Sequence, residues 1–226
     1  RDIVGSRGLG DVYKRQTMNT TAQKNELIFG YSSGNLGEAK SLFTSMYLYL
    51  NSIAAKKASV FDNMLAQNFN DLEGVQPKKL KYTDCIKTPV SIKKNKNSSN
   101  NPLSRLIGNL NDIDWKILYK GFKEFNIPVN DNDSVKLIKM DPGTSVPLHS
   151  HNGKEYILVL NGSFCDEYGE YNKGDMQIND QQIKHNPTAC NSDGCICLSI
   201  TENDVVFFGK YGSALNLFTF IKSFFK

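Results

Sequence analysis

The three histidines of the chain fall in a pattern that can bind a metal ion. His149 and His151 are two residues apart, so on a β-strand both side chains point to the same face. Glu155 can return to that face after a short turn, whereas His185 must come from a different strand. Imidazole and carboxylate ligands together suit zinc, iron, manganese, nickel or copper better than calcium or magnesium. The four residues therefore predict a site for one transition metal ion.

Short β-like segments that supply the strands for such a site follow Leu106. Turn pairs such as Pro142-Gly143 and Asn161-Gly162 separate them. Many short strands with Gly and Asn turns are typical of a sandwich or barrel. The predicted strands are Trp115–Tyr119, Val135–Met140, Tyr156–Leu160, Met176–Ile178, Ile196–Ile200 and Val205–Phe208.

Residues 20–75 have helical periodicity instead, with apolar residues three and four apart. Asn35, three residues before Glu38, is the predicted cap of one helix, and Gly74 is the predicted end of the next. Two such helices cannot bury both apolar faces alone, so they need each other, a partner chain or the β part. The first stripe is Leu36, Ala39, Leu42, Phe43, Met46, Leu50 and Ile53, and the second is Val60, Phe61, Met64, Leu65, Phe69 and Leu72.

The composition divides the chain into four parts. Residues 1–17 are a predicted non-native or disordered leader, because RDIVGSRGLGDVYKRQ resembles a translated adapter and Met18 is a plausible start. Residues 18–76 form the helical domain, 77–104 a flexible linker and 105–226 the β-domain. The stretch KKNKNSSNNP within the linker is too polar to offset the entropy cost of ordering it.

Composition also excludes several classes of protein. The net charge of +4 comes mostly from dispersed Lys residues without interleaved aromatics, so direct nucleic-acid binding is not expected. No apolar run reaches the roughly 18–20 residues that span a bilayer, and Leu215 to Phe225 is predicted to be a final packed helix or strand. The five cysteines have no paired spacing that predicts a disulfide framework, which favours a reducing cytoplasm.

Two sequence blocks carry a family resemblance. The first, from Gly143 to Gly162, resembles the cupin motif G-x5-H-x-H-x3-E-x6-G without departures. The second resembles a degenerate G-x5-P-x-G-x2-H-x3-N, with Gly174 and His185 in place. Asp180, Gln182 and Ala189 stand where Pro, Gly and Asn are usual. The resemblance implies a mainly β fold, in which a C-terminal cupin (a jelly-roll or double-stranded β-helix barrel) follows a small α-helical domain.

A longer stretch of the sequence resembles one particular family of cupin-containing proteins. The string MDPGTSVPLHSHNGKEYILVLNGSFCDEYGEYNKGD, followed by HNP and GCICLSI, is similar to the cupin domain of ChrR-type anti-sigma factors. The segment LIFGYSSGNLGEAKSLFTSMYLYL also resembles their helical, sigma-binding domain. The resemblance implies an extracytoplasmic-function sigma factor as partner, with the metal cupin as sensor. Our hypothesis is that the stripe Leu42, Met46, Leu50 and Ile53 binds this partner, and the alternative is that it packs inside a helical bundle.

One departure from that family concerns its helical domain, which normally carries a second zinc site with an H-x3-C-x2-C signature. Tyr47, Asn51 and Ala54 occupy those positions here, and none is an ordinary zinc ligand. We therefore expect no second zinc in the helical domain. For the cupin site the expected ion is zinc, with iron, manganese and nickel as alternatives.

Two classes of function follow from these observations. The first is a cytoplasmic bacterial anti-sigma factor that regulates transcription. The sequence leaves open whether two such chains form a homodimer through the cupin. The second is a small cupin metalloenzyme of the dioxygenase, isomerase or acylhydrolase type, because four protein ligands can leave positions for a substrate. A shared fold cannot decide between them. The helical prefix favours regulation, whereas the loss of the second zinc site weakens it.

The remaining chemically active side chains have two interpretations each. Cys195 and Cys197 are two residues apart on a predicted strand. They are either a redox-sensitive pair or, as we favour, two small buried hydrophobic residues. Asp166, Glu167 and Glu170 are an acid–base cluster or, as favoured, solvated turn residues. Cys165 and Cys190 lie near predicted turns, where exposure is expected, and Cys85 lies near the linker.

Overall fold

A computed structural model describes residues 21–70, 101–190, 193–209, 212–213 and 216. The described part is mainly antiparallel β-sheet preceded by helices, as the sequence predicted. The predicted leader, most of the linker and most of the Leu215–Phe225 segment lie outside these residues. The last residues of the predicted linker enter a helix, in which Leu103 is buried.

The helices lie at both ends of the undescribed segment. Asn51 Oδ1 accepts a hydrogen bond from Ala54 N at 3.0 Å and so begins the third helix directly after the second. Within the described ranges, no helix is both long and apolar enough to cross a membrane. The helices are α1 (21–32), α2 (Glu38–Leu50), α3 (Ser52–Asn70) and α4 (Pro102–Ile107), and a 3-10 turn follows at Leu110–Asp112.

The N-terminus of α2 is capped by a distant loop. The predicted cap at Asn35 is wrong: Gly37 is the N-cap residue and offers no side chain. Asn35 N instead donates to Gly30 O at 2.8 Å and closes the turn after α1. Asp131 Oδ2 accepts a hydrogen bond from Ala39 N at 2.8 Å. A carboxylate here satisfies an unpaired N–H group and also favours the positive end of the helix dipole.

Ten strands lie within the described residues, and every pairing between them is antiparallel. The main sheet has the order β1-β2-β3-β9-β5-β6, with β7 and β8 also paired to β5, and β10 pairs with β4 separately. The sequence predicted β1, β3, β5, β7, β9 and β10 and assumed a strand for His149 and His151, which is β4, but it missed β2, β6 and β8. The strands are β1 (Lys116–Tyr119), β2 (Phe122–Ile127), β3 (Ser134–Met140), β4 (His149–His151), β5 (Glu155–Asp166), β6 (Gly169–Asn172), β7 (Met176–Asn179), β8 (Thr188–Ala189), β9 (Cys195–Thr201) and β10 (Val205–Phe207).

Strand β5 separates two hydrophobic cores, because its alternate side chains point to opposite faces. Ile157 and Val159 pack into the inner core, which also contains Phe122, Met140, Phe164, Ala189, Cys195 and Cys197. Tyr156 and Leu158 point the other way, into the helix-facing core, which is shared with α1, α2, α3 and α4. The helical part is therefore packed on the sheet through apolar contacts.

The junction between α2 and the sheet combines an apolar and a charged contact. The rings of Phe43 and Tyr156 meet edge to face, with centroids 6.0 Å apart. Beside them, Lys40 Nζ lies 2.8 Å from Glu202 Oε1 and 3.7 Å from Asp133 Oδ2. These contacts fix the direction in which α2 crosses the sheet.

Glycine is required where β5 bends past β9. Gly162 has φ 69°, in the left-handed region that favours glycine. A Cβ at this position would also collide with the carbonyl group of Gly194. The final Gly of the first motif therefore keeps β5 in register with β9, and with it the Glu155 end of the strand.

We expect Phe43→Ala to lower the free energy of unfolding by about 3–5 kcal/mol, because it leaves a cavity in the helix-facing core. Phe43 is 0% exposed, whereas Tyr49 of the same helix is 50% exposed. Tyr49→Ala is thus the matched control, with little expected effect. Urea denaturation followed by far-ultraviolet circular dichroism checks both. Equal destabilisation by the two changes would contradict the packing described here.

Candidate metal centre

The four predicted ligands are brought together by three separate segments. His149 and His151 lie on β4, opposite Phe207 and Val205 of β10. Glu155 is the first residue of β5. His185 lies outside the named strands but forms a bridge with His149, through reciprocal backbone hydrogen bonds of 3.0 and 3.1 Å. Backbone pairing therefore determines how close the ligands approach.

The ligand atoms form a compact buried cluster. One donor atom from each of His149, His151, Glu155 and His185 lies within 4.8 Å of the others. His185 Nε2 is 3.1 Å from His149 Nε2 and 3.3 Å from Glu155 Oε2, and His151 Nε2 is 3.1 Å from the same carboxylate oxygen. None of the four residues is more than 4% exposed. The side chains predicted as ligands therefore converge on one point away from solvent.

Hydrogen bonds to the ring nitrogens that face away from the cluster determine which nitrogen of each histidine is free to bind a metal. His149 Nδ1 lies 2.9 Å from Pro147 O, and His185 Nδ1 lies 3.1 Å from Asp166 Oδ2. Both partners accept hydrogen bonds, so each Nδ1 carries the proton. The two Nε2 atoms then point lone pairs at each other, and a cation or a proton must lie between them.

The spacing of these atoms fits a transition metal. Metal–ligand bonds of about 2.0–2.1 Å place neighbouring ligands roughly 2.9–3.4 Å apart, as the 3.1 and 3.3 Å contacts do. Both ring nitrogens of His151 are buried without a hydrogen-bond partner. Its contact with Glu155 is close but poorly aligned. A metal ion would satisfy His151 and the facing lone pairs together.

The surroundings of His149 and His185 shift the pKa values of these two residues in opposite directions. Burial, assisted by the neighbouring imidazoles, lowers the pKa of His149 to about 4. Burial also lowers the pKa of His185, but its contacts with Asp166 and Glu155 outweigh this and raise the pKa to about 9. Burial alone would raise the pKa of Glu155, yet its imidazole contacts hold it well below the usual value. Without metal, the shared proton resides on His185, and metal binding must displace it.

Asp166 is the residue near the site that sequence reasoning missed. Its favoured interpretation as a solvated turn residue is wrong, because the side chain is 0% exposed and bonded to His185. Gln177 Nε2 donates to Asp166 Oδ2 at 2.7 Å, and Tyr168 N donates to Oδ1 at 2.9 Å. A carboxylate behind a ligating imidazole fixes the ring and increases its basicity.

The other acidic residues of the predicted cluster lie elsewhere. Glu167 Oε2 accepts a hydrogen bond from Asn186 N at 3.0 Å and so supports the segment after His185. Glu170 is exposed on β6, as predicted. Glu155 has its own support, since Asn179 Nδ2 donates to its Oε2 at 3.1 Å.

The irregular second motif still forms a turn before His185. Asp180, which replaces the usual Pro, accepts hydrogen bonds from Gln182 N through Oδ1 at 2.9 Å and from Ile183 N through its backbone at 3.1 Å. An aspartate side chain can form such a turn in place of proline and glycine. The departures from the motif therefore leave the position of His185 intact.

The cysteines form two different pairs. Cys195 and Cys197 are buried in the inner core as free thiols with sulfurs 3.3 Å apart, which agrees with the favoured interpretation. A hydrogen bond between them, together with burial, raises the pKa of Cys197 well above its usual value. Cys165 and Cys190 form a disulfide, which the sequence analysis did not predict. Cys85 lies outside the described residues.

In the described helices, Tyr47, Asn51 and Ala54 lie at the positions where the sequence comparison expected the second zinc site. Tyr47, Asn51 and Ala54 line a shallow cleft together with Lys24 and Lys57. Asn51 caps α3, and two lysines beside the cleft oppose a bound cation. Within the described ranges, the only cluster of three or more metal-ligating side chains is the one formed by His149, His151, Glu155 and His185.

Comparison with known proteins agrees with this geometry. Residues 103–203 match the family described as the ChrR cupin-like domain. These residues are therefore similar to a ChrR cupin-like domain. The match contains every ligand of the cluster together with Asp166, so the inner core is the interior of a cupin barrel.

The similarity extends beyond the cupin. The anti-sigma-E factor ChrR of Cereibacter sphaeroides is 29% identical over 184 residues, which cover 78% of this chain and 86% of that protein. The crystal structure of Rhodobacter sphaeroides SigE in complex with the anti-sigma ChrR matches with a TM-score of 0.66 and 28% identity. It covers 78% of this chain and 96% of that chain. The helical part is therefore included in the similarity.

We expect the purified full-length chain to carry about one equivalent of transition metal, and the His149→Ala/His151→Ala double variant to carry almost none. Elemental analysis by mass spectrometry after gel filtration checks this. Glu170→Gln, which changes an exposed carboxylate on β6, is the control and should keep its metal. Equal metal content in the wild type and the double variant would remove the proposed centre.

The same double variant tests the helical part. Because Tyr47, Asn51 and Ala54 are not zinc ligands, we expect no zinc to remain after the cupin ligands are removed. The measurement is zinc content after growth in zinc-supplemented medium. A folded double variant that retained about one equivalent would show a second site and contradict this expectation.

We expect Asp166→Asn to weaken metal affinity by about 10–100-fold while preserving the fold, because the amide cannot supply the negative charge behind His185. Competition with a chromophoric chelator measures the affinity. Glu170→Gln again provides the matched control, since this carboxylate lies on the neighbouring strand but is exposed. An affinity unchanged by Asp166→Asn would leave the contact without a role in binding.

Proposed function

We propose that this chain is an anti-sigma factor that binds an extracytoplasmic-function sigma factor through its helices and uses its cupin metal centre for sensing. The observation that carries the proposal is the similarity to ChrR over both helices and cupin, including the ChrR chain crystallised with SigE. Zinc is the metal that we assign to the site. This role places the chain in the bacterial cytoplasm, without direct nucleic-acid contact, and leaves a homodimer as a prediction.

The sigma-binding stripe that the sequence predicted is largely internal. Met46 is buried in the helix-facing core, and Leu42 and Leu50 are half-buried against that core. They hold the helices on the cupin. Ile53 alone of the stripe is strongly exposed, at 76%. Substitution of Met46 would therefore test folding rather than partner binding.

The α3 face, defined as Ile53, Val60 and Met64, is a better candidate surface. These residues are seven and four positions apart, so they lie along one side of the helix. All three are exposed. Apolar anchors at this spacing suit a helix that packs into the groove of a protein partner. We assign this face to the sigma factor because the ChrR of the matched complex is bound to one.

A short path connects the metal centre with the helices. Glu155 points into the barrel, and the next residue, Tyr156, packs on Phe43 of α2. Glu202 Oε2 accepts a hydrogen bond from Lys154 N at 3.0 Å, directly before Glu155, and Glu202 Oε1 binds Lys40 of α2 at 2.8 Å. A shift of the Glu155 backbone would therefore move two contacts of the same helix.

The sensing step follows from this path. When bound, the metal ion supplies the positive charge that balances Glu155 and the facing imidazole lone pairs. Release of that charge changes the repulsion among the ligands and the position of Glu155. A switch of this kind needs two arrangements with different affinities for the partner. Tyr156 and Glu202 would transmit the difference to α2 and from there to α3.

The enzyme alternative is less compatible with the site. The four ligands are at most 4% exposed, and a substrate that binds the metal would need an opening to them. The relatives matched over most of the chain are anti-sigma factors. Turnover of a small organic substrate by the metal-loaded chain, without affinity for a sigma factor, would establish the enzyme reading instead.

We expect Ile53→Asp and Val60→Asp each to weaken binding to an extracytoplasmic-function sigma factor of the same genome by about tenfold or more, because each places a charge in an apolar interface. Ile117→Asp, at a residue of β1 that is 68% exposed, is the matched control. Surface plasmon resonance with full-length chains measures the dissociation constants. Equal binding by all three variants would place the interface elsewhere, and a folded wild type without sigma affinity would refute the proposed function.

A further inference from the structure

The disulfide between Cys165 and Cys190 lies beside the metal centre, with the two Cα atoms 6.0 Å apart. Cys190 is exposed and Cys165 is partly exposed, whereas Cys195 and Cys197 are buried in the inner core. Among the described cysteines, a soluble oxidant or reductant can therefore reach this pair most directly.

The disulfide encloses the segment that carries His185. The two cysteines are 25 residues apart, and the loop between them contains His185 and its supporting residues, Asp166 and Gln177. The other three ligands lie outside the loop. The bond therefore limits how far His185 can move from the remaining ligands.

The segment that leads from His185 to Cys190 has little other support from β5. Strand β8 pairs with β5 only through Phe164 with Ala189 and Cys165 with Thr188. On its other side, Ala189 N donates to Thr144 O at 3.0 Å and Val146 N donates to Pro187 O at 2.9 Å. Without the disulfide, the two residue pairs and the backbone bond from Cys190 N to Ser163 O hold this edge of the barrel to β5, and Asp166 follows directly after Cys165.

We propose that Cys165 and Cys190 are a reversible redox modification site, and that their oxidation strengthens the hold of the cupin on its metal. The proposal rests on the metal site of the proposed function but not on sigma binding. In a reducing compartment, accessible disulfides are usually redox-responsive rather than permanent. The signal is a change in peroxide or thiol level, read as a change in metal retention.

The chemistry balances with hydrogen peroxide as oxidant. The Cys190 thiolate attacks one peroxide oxygen, so that a sulfenic acid forms and, after protonation, water leaves. The Cys165 thiol then attacks this sulfur, the S–S bond forms and a second water leaves. Two thiols lose two electrons, and one peroxide becomes two waters. A dithiol reductant reverses the step by exchange and is itself oxidised to a disulfide.

The reduced pair remains positioned for this reaction. The Cys165 and Cys190 sulfurs lie 3.7 and 3.3 Å from the same Thr188 carbonyl oxygen. As thiols, both can donate a hydrogen bond to it. The backbone bond from Cys190 N to Ser163 O, at 3.2 Å, also survives reduction. The two sulfurs therefore stay close enough to join again.

The test uses the full-length, zinc-loaded chain in a Cys85→Ser background, without any sigma factor. The protein is reduced with dithiothreitol or oxidised with stoichiometric hydrogen peroxide, and the cross-link is mapped by peptide mass spectrometry. Zinc transfer to a chromophoric chelator is timed in each state. We expect a Cys165–Cys190 cross-link that dithiothreitol reverses, and transfer about tenfold slower in the oxidised state.

Two variants serve as controls. Cys165→Ser/Cys190→Ser should transfer zinc at the rate of the reduced wild type whatever the treatment, and Cys190→Ser, which leaves β5 unchanged, should behave in the same way. Failure to map the cross-link after peroxide, or equal transfer rates for oxidised and reduced wild type, would overturn the proposal. A peroxide effect of equal size in the variants would also overturn it. None of these outcomes depends on whether the chain binds a sigma factor.

Discussion

Alternation along β5 sends Glu155, Ile157 and Val159 into the barrel and Tyr156 and Leu158 towards the helices. The strand is 12 residues long and pairs with β6, β7, β8 and β9, so few of its residues can shift without disturbing a neighbour. A slip of β5 by one residue would exchange its inward-facing and helix-facing side chains. The register of β5 therefore determines both which residues face the candidate metal centre and where α2 packs on the sheet. The candidate metal centre and the packing of the helices thus depend on the same backbone.

The metal centre illustrates how polar groups are arranged when they are removed from water. Buried imidazoles and carboxylates are costly unless each has a partner. Here Pro147 and Asp166 satisfy the outward-facing nitrogens of His149 and His185, and Asn179 donates to Glu155 Oε2. The inward-facing nitrogens of the imidazoles are left to share a cation with that carboxylate. The imbalance is local and directional. The outer partners determine which ring nitrogens remain free. These free nitrogens show where a positive charge must be supplied, which the number of histidines alone does not.

The sequence was informative where the governing interactions are local and much less so where they are not. The ligands His149, His151 and Glu155 follow from strand periodicity within seven residues, and His185 from its place in the second motif. Asp166 could not be found in the same way, because it meets His185 only after β5, β7 and β8 have paired, and a carboxylate in a turn is usually solvated. Strand β2 was missed because the buried Glu124 interrupts its apolar alternation, and its burial is explained only by contacts with Lys136 and Lys116 on the neighbouring strands. The apolar stripe of α2 was recognised correctly as helical, but periodicity alone cannot say whether such a face meets a partner or the chain's own sheet.

The cap of α2 has a consequence for how this architecture can be rearranged. The helix receives its N-terminal hydrogen bond from Asp131, 92 residues along the chain, and Asn130 binds Glu38 in the same loop. A helical segment moved by recombination onto another barrel would arrive without its cap and without the loop that recognises it. The helices and the 130–133 loop must therefore be inherited together. Substitutions on the exposed face of α3 leave this cap intact, whereas transfer of the whole helical domain does not.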